Sequence, residues 1–217
     1  MKESDVSFGR VNRLLLGSFC ILWVVHLVST ILLLVAKQPL NRRLLHFLVF
    51  DGYLGAPFFF SIFLFLCCAI LMAANGRQAR TTGDAAICWW GGAMGCAVVP
   101  IMMIIGVRRT TEYLVAIALQ FPKTSVVFIV TGVTAAWLLL RSVWCLPPLT
   151  RRRLMMSGSL YLLGAVGLEL LSVYYYGRRS EPGVRFIYVS VSTLEESCEM
   201  LGLILAIRAA RLHNAGV

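Results

Sequence analysis

An all-α bundle of six membrane-spanning helices is the fold class that three observations predict. Hydrophobic residues make up 59% of the 217 and charged residues only 14%, too few charges to cover a water-soluble domain. Apolar runs of about 20 residues, the length that crosses roughly 30 Å of hydrocarbon, recur along the whole chain. The connections between them are polar or basic and show no linker-like composition, so the six helices read as one integral membrane domain over residues 1–217.

The first span, 14–36 ("LLLGSFCILWVVHLVSTILLLVA"), is longer than a signal-peptide core and lacks a small-residue cleavage pattern, so it is expected to stay as an anchor. The second, 47–74, opens with "FDGYLGAPFFF", where Gly52, Gly55 and Pro57 weaken the first turns and Asp51 caps the helix or faces a vestibule. The third, 85–107, carries "GGAMG" and then Pro100. Gly91 and Gly95 have the spacing that lets helices approach closely, and a broken helix lining a polar site is the sharper alternative. The segment 108–123 contains "YLVAIALQF", too short to span. The remaining spans are 124–147, 157–176 and 186–207. Trp89 and Trp90 open the third span, Trp144 closes the fourth and Tyr174 to Tyr176 close the fifth, as an interfacial aromatic belt would.

The formal net charge is +10, carried by short basic clusters beside the spans. That placement points to anionic lipid headgroups and away from nucleic acid. Lys and Arg divide almost evenly between the two sides of the bundle, so orientation rests mainly on "RRR" at Arg151, Arg152 and Arg153, which puts both termini in the cytoplasm. The seven cysteines all fall inside spans without paired-ligand spacing, as small packing residues would. Neither a metal site, a cofactor nor a catalytic set is expected; a second copy of the chain or a larger membrane complex is the protein partner foreseen.

One stretch breaks the apolar pattern. "STLEESCEMLG", Ser192 to Gly202, places Glu195, Glu196 and Glu199 within the last span. An ionisable side chain there costs about 2.5–3.5 kcal/mol on insertion scales, so it should face the bundle interior and find partners. At about 1.5 Å per residue, Glu195, Glu169 in the fifth span and His26 in the first fall at similar depth, while Arg141 and Glu199 share a second layer and read as an ion pair. Glu195 and Glu199 lie one turn apart on one face; Glu196 points about 100° away, to another neighbour or the lipid interface. A buried carboxylate without a cation tends to take up a proton, which makes Glu169 and Glu195 candidates for sharing one.

The run "LLLRSVWCLPPLTRRRLMMSGSLYLLGAVGLELL" followed by "TLEESCEMLGLIL" resembles a family of uncharacterised bacterial multi-spanning membrane proteins. Their last helices carry a similar Arg, a Leu-Pro turn with basic residues, a Gly-Ala…Gly-x-Glu helix and a Leu-Glu-Glu…Glu-Met-Leu-Gly helix. The resemblance covers roughly residues 130–207. It implies that Arg141, Glu169, Glu195, Glu196 and Glu199 are family positions and that the protein sits in a bacterial inner membrane. In the first half, Tyr53 stands where the family pattern often has an acid.

Three functional readings follow from the acids. The first is a membrane transport or ion-coupling protein whose carboxylates bind a proton or cation. The second is a non-catalytic subunit or scaffold in which they hold helices together, and the third is an intramembrane hydrolase.

Overall fold

The computed structural model describes residues 3–35, 55–82, 86–104, 137, 140–176, 178 and 183–214. Nearly all of these are helical, with no strand among them. In chain order they form α1 (Glu3–Val35), α2 (Ala56–Thr82), α3 (Ala86–Ile104), α4 (Pro148–Leu162), a π-helical turn (Leu163–Leu168), α5 (Glu169–Tyr176) and α6 (Val184–Asn214). A short helical segment, 140–144, precedes α4. Asp51, and the segment 108–123 with its "YLVAIALQF", lie outside the described residues.

Local chemistry sets several boundaries. Pro147, with φ −51° and ψ 146°, stops the preceding segment, and Pro148 opens α4. Proline fits that first position because its missing N–H would have had no helical partner and its φ is already set. The helix therefore starts before residue 157, the expected beginning of the fifth span, and Arg151, Arg152 and Arg153 lie on its first turns rather than in a loop. Arg151 turns back, with its guanidinium 5.5 Å from the Trp144 ring centroid. At the start of α6, Gly183 takes φ +82°, a conformation that a side chain would strain, and its carbonyl accepts from the backbone N–H of Phe186 at 3.2 Å.

Side-chain and glycine contacts give one consistent antiparallel order. On α2 and α3, Gly76 abuts Trp89 and Trp90 while Gly92 abuts Met72. Gly91 on α3 meets Ser142 of the segment 140–144. Gly202 on α6 meets Tyr161 and Ser157 of α4, and the Ser157 hydroxyl donates to the Gly202 carbonyl at 2.8 Å. α2 runs parallel to α6, with Asn75 Nδ2 donating to the Ala210 carbonyl at 2.9 Å. That buried bond carries α2 past residue 74, where the second span was expected to end, to Thr82.

α6 is the centre of the assembly, touching α1, α2, α4, the π turn and α5. Outward-facing positions on the other helices are large and apolar: Leu14, Ile21 and Val28 on α1, Phe59, Phe63 and Ile70 on α2, Ile87 and Met94 on α3. Buried positions include His26, Ser61, Asn75 and the α6 carboxylates. Polar groups inside and hydrocarbon outside is the distribution that a lipid solvent favours. Among the described residues, three helical stretches are accordingly long and apolar enough to cross a membrane, Arg13–Leu32, Ala56–Arg80 and Pro148–Ser172, and a shorter apolar one is Ala86–Ile101.

Candidate functional site

The polar residues of α6 occupy the most enclosed part of the fold. Glu195 and Glu199 are each 3% exposed and Glu196 is 8% exposed, whereas Leu194 beside them is 55% exposed. Of the two directions open to Glu196, the packing selects a helix neighbour over the surface. All three acids thus face protein, and α6 turns only a narrow strip outward.

α1 reads two hydroxyls on this helix. Thr193 Oγ1 donates to the Val189 carbonyl at 2.7 Å, so its single proton is committed, and the 2.7 Å bond to His26 requires that His26 Nε2 carry the donated hydrogen. Ser197 is arranged alike, its hydroxyl donating to the Thr193 carbonyl at 2.6 Å while Trp23 Nε1 donates to it at 3.2 Å. Trp23 and His26 are three residues apart and so share a helix face, which clamps α1 on α6 at Thr193 and Ser197, about one turn apart and bracketing Glu195 and Glu196. His26 is 1% exposed.

The opposite wall is the π turn. Gly164 lies so close to α6 that a Cβ there would sit 2.6 Å from the Glu195 carbonyl oxygen and 3.0 Å from Glu199 Cγ. Only glycine permits this approach. Wide π turns in an otherwise α-helical stretch often accompany functional positions. Glu169 begins α5 directly after the turn, half-buried, with its carbonyl accepting the Ser172 hydroxyl at 3.1 Å. Since α5 runs antiparallel to α6, Glu169 falls within about one helical turn of the level of Glu195. The acids of α6, His26 and Glu169 therefore lie at similar levels along the helices.

Arg141 has a different setting from the one its depth implied. It is exposed, and its guanidinium stands 5.3 Å from the Trp137 ring centroid rather than against Glu199. A cation over an aromatic face at the surface needs no buried counter-charge, and contributes on the order of 0.5–1 kcal/mol. Thr193, Ser197, Trp23 and Gly164 were not singled out by sequence reasoning. The hydroxyl spacing within "STLEES" was the available signal for the first two. Among the described residues, no three His, Cys, Asp or Glu side chains converge as metal ligands would.

The hydroxyl clamp yields a direct expectation. Thr193→Val removes the acceptor of His26 at nearly constant volume. It should lower stability in detergent by about 0.6–1.7 kcal/mol, the range found for hydrogen bonds between membrane helices. Ser190→Ala, which deletes only a bond to its own helix at Phe186, should change thermal stability less.

The chain belongs to the family described as Domain of unknown function (DUF8692), whose model matches residues 15–213. That match spans α1 through α6, including every carboxylate and the histidine of the site. No curated protein and no solved structure matches the chain.

Proposed function

We propose that the protein is a multi-pass protein of a bacterial inner membrane in which Glu195, Glu199 and Glu169 form a proton- or cation-binding centre for transport or ion coupling. One observation carries this reading: Glu195, Glu196 and Glu199 are buried on α6, which packs against the π turn that precedes Glu169, while outward faces of the other helices are apolar. Carboxylates in hydrocarbon surroundings are costly, and the usual return for that cost is the movement of charge.

The arginines and aromatics support a transmembrane placement. Arg80 lies over Trp90 and Arg151 over Trp144 at one end of the bundle, and Arg178 over Tyr174 at the other. Along the helix from Arg151 to Tyr174 the separation is roughly 35 Å, close to the thickness of a hydrocarbon core with its interfaces. Anionic headgroups are the natural partners of these arginines, and nucleic acid is not. Six spans put both termini on one side, the cytoplasmic one, so reporters fused at Lys2 and at Val217 should report the same compartment. Opposite compartments would mean that a span has been miscounted.

A scaffold reading has its own support, because Trp23 and His26 spend their donors on holding α1 to α6. In that case the acids are interhelical glue, within a homo-oligomer or a larger complex. Flux across liposomes containing the purified protein decides between the two. Proton or cation movement down an imposed gradient, above that of empty liposomes, supports transport; none under any gradient leaves the scaffold.

A further inference from the structure

Two thiols meet at the end of the bundle where α3 begins. Cys88, on the first turn of α3, lies beside Cys145, just after the segment 140–144. Cys145 Sγ bonds the Arg141 carbonyl at 3.3 Å. Backbone geometry agrees with this pairing. Gly91, nearly one turn beyond Cys88, packs against Ser142, nearly one turn before Cys145, so tightly that the Ser142 hydroxyl takes the space a Cβ would need. Helices in such contact bring facing Cβ atoms towards the roughly 3.5–4.5 Å that a disulfide requires.

The two sulfurs differ in access. Cys145 is exposed and Cys88 is buried. A second pair, Cys68 and Cys96, also lies side by side, but its position in the middle of α2 and α3, with Cys68 fully buried, removes it from water-borne reagents.

We propose that Cys88 and Cys145 are a redox-active dithiol that closes to an inter-helix disulfide by exchange with a low-molecular-weight disulfide. Cys145 loses its proton to solvent and its thiolate attacks one sulfur of the small disulfide, forming a mixed disulfide and releasing one small thiol. Cys88 then gives up its proton and attacks the Cys145 sulfur, displacing the second small thiol. Two electrons pass from the protein thiols to the reagent, and α3 becomes tied to the end of the helix before α4. The proposal does not depend on the transport reading.

The test treats the purified full-length protein with oxidised glutathione. The expected product is lighter than the reduced protein by about two hydrogens, yields a Cys88–Cys145 linked peptide, and reverts with dithiothreitol. Cys88→Ser should instead stop with glutathione held on Cys145, and Cys145→Ser should leave Cys88 unmodified. A wild-type protein that stops at the Cys145 adduct, links Cys145 to a different cysteine or leaves both thiols free overturns the proposal. The wild-type peptide map alone decides it should Cys88→Ser fail to fold.

Discussion

Gly202→Val should strongly destabilise the packing of α4 on α6. A Cβ at residue 202 would lie 2.8 Å from the backbone nitrogen of Tyr161 and 3.0 Å from the Ser157 carbonyl oxygen. Both obstacles are backbone, so no rotamer change clears them and α4 must move off α6. Overpacking of this kind typically costs about 1–3 kcal/mol, and valine, with two more methyls than alanine, should reach or exceed the upper figure. Displacing α4 would also lengthen the Ser157 hydroxyl bond to Gly202. Gly17 and Gly158 supply the control, since a Cβ at either meets nothing within 4 Å. Alanine there should be neutral or mildly stabilising, because glycine is the poorer helix former by up to about 1 kcal/mol. Equal melting temperatures for Gly202→Ala and Gly158→Ala would show that α4 and α6 do not approach in this register.

The largest functional effect is expected at Glu195 and Glu169. Glutamine keeps the size and much of the hydrogen bonding of glutamate but cannot change charge. Glu195→Gln and Glu169→Gln should each fold with a stability within about 1 kcal/mol of the parent, on the scale of single interhelical bonds. Each should nonetheless lose proton- or cation-dependent flux entirely, because what is removed is titration and not packing. Arg152→Ala, on the exposed face of the first turns of α4, should leave both stability and flux unchanged. Retention of full flux by both glutamine variants would assign the acids to structure.

How far the sequence alone leads differs between fold and site. Apolar runs of spanning length are a strong, local signal for helix, and the helices α1, α2, α3 and α6 overlap four of the runs, with α2 displaced towards Thr82. Helix ends were less legible. α4 begins at Pro148 within a basic stretch that reads as a loop by composition, and only the proline pair signals the start. The acids of α6 could be placed inside the bundle from the cost of exposing them to lipid. Arg141 could not be placed from depth alone: depth says how far along the axis a side chain sits and nothing about which way it points, and Trp137, one turn back, offered an alternative to Glu199. The π turn at Leu163–Leu168 is silent in composition, since "LGAVGL" suits an ordinary membrane helix equally well. The close approach of its Gly164 to Glu195 is likewise a tertiary feature without a local signature.

Infrared difference spectroscopy of the carboxyl groups tests the central claim most directly, because it observes protonation at the side chains themselves. Spectra of the reconstituted protein would be recorded while pH or cation concentration is varied. The expected result is a protonated-carboxyl band that appears or shifts with pH or with added cation, and that disappears in Glu195→Gln or Glu169→Gln. A spectrum with no carboxyl change under any of these conditions would contradict a proton- or cation-binding role for the buried acids.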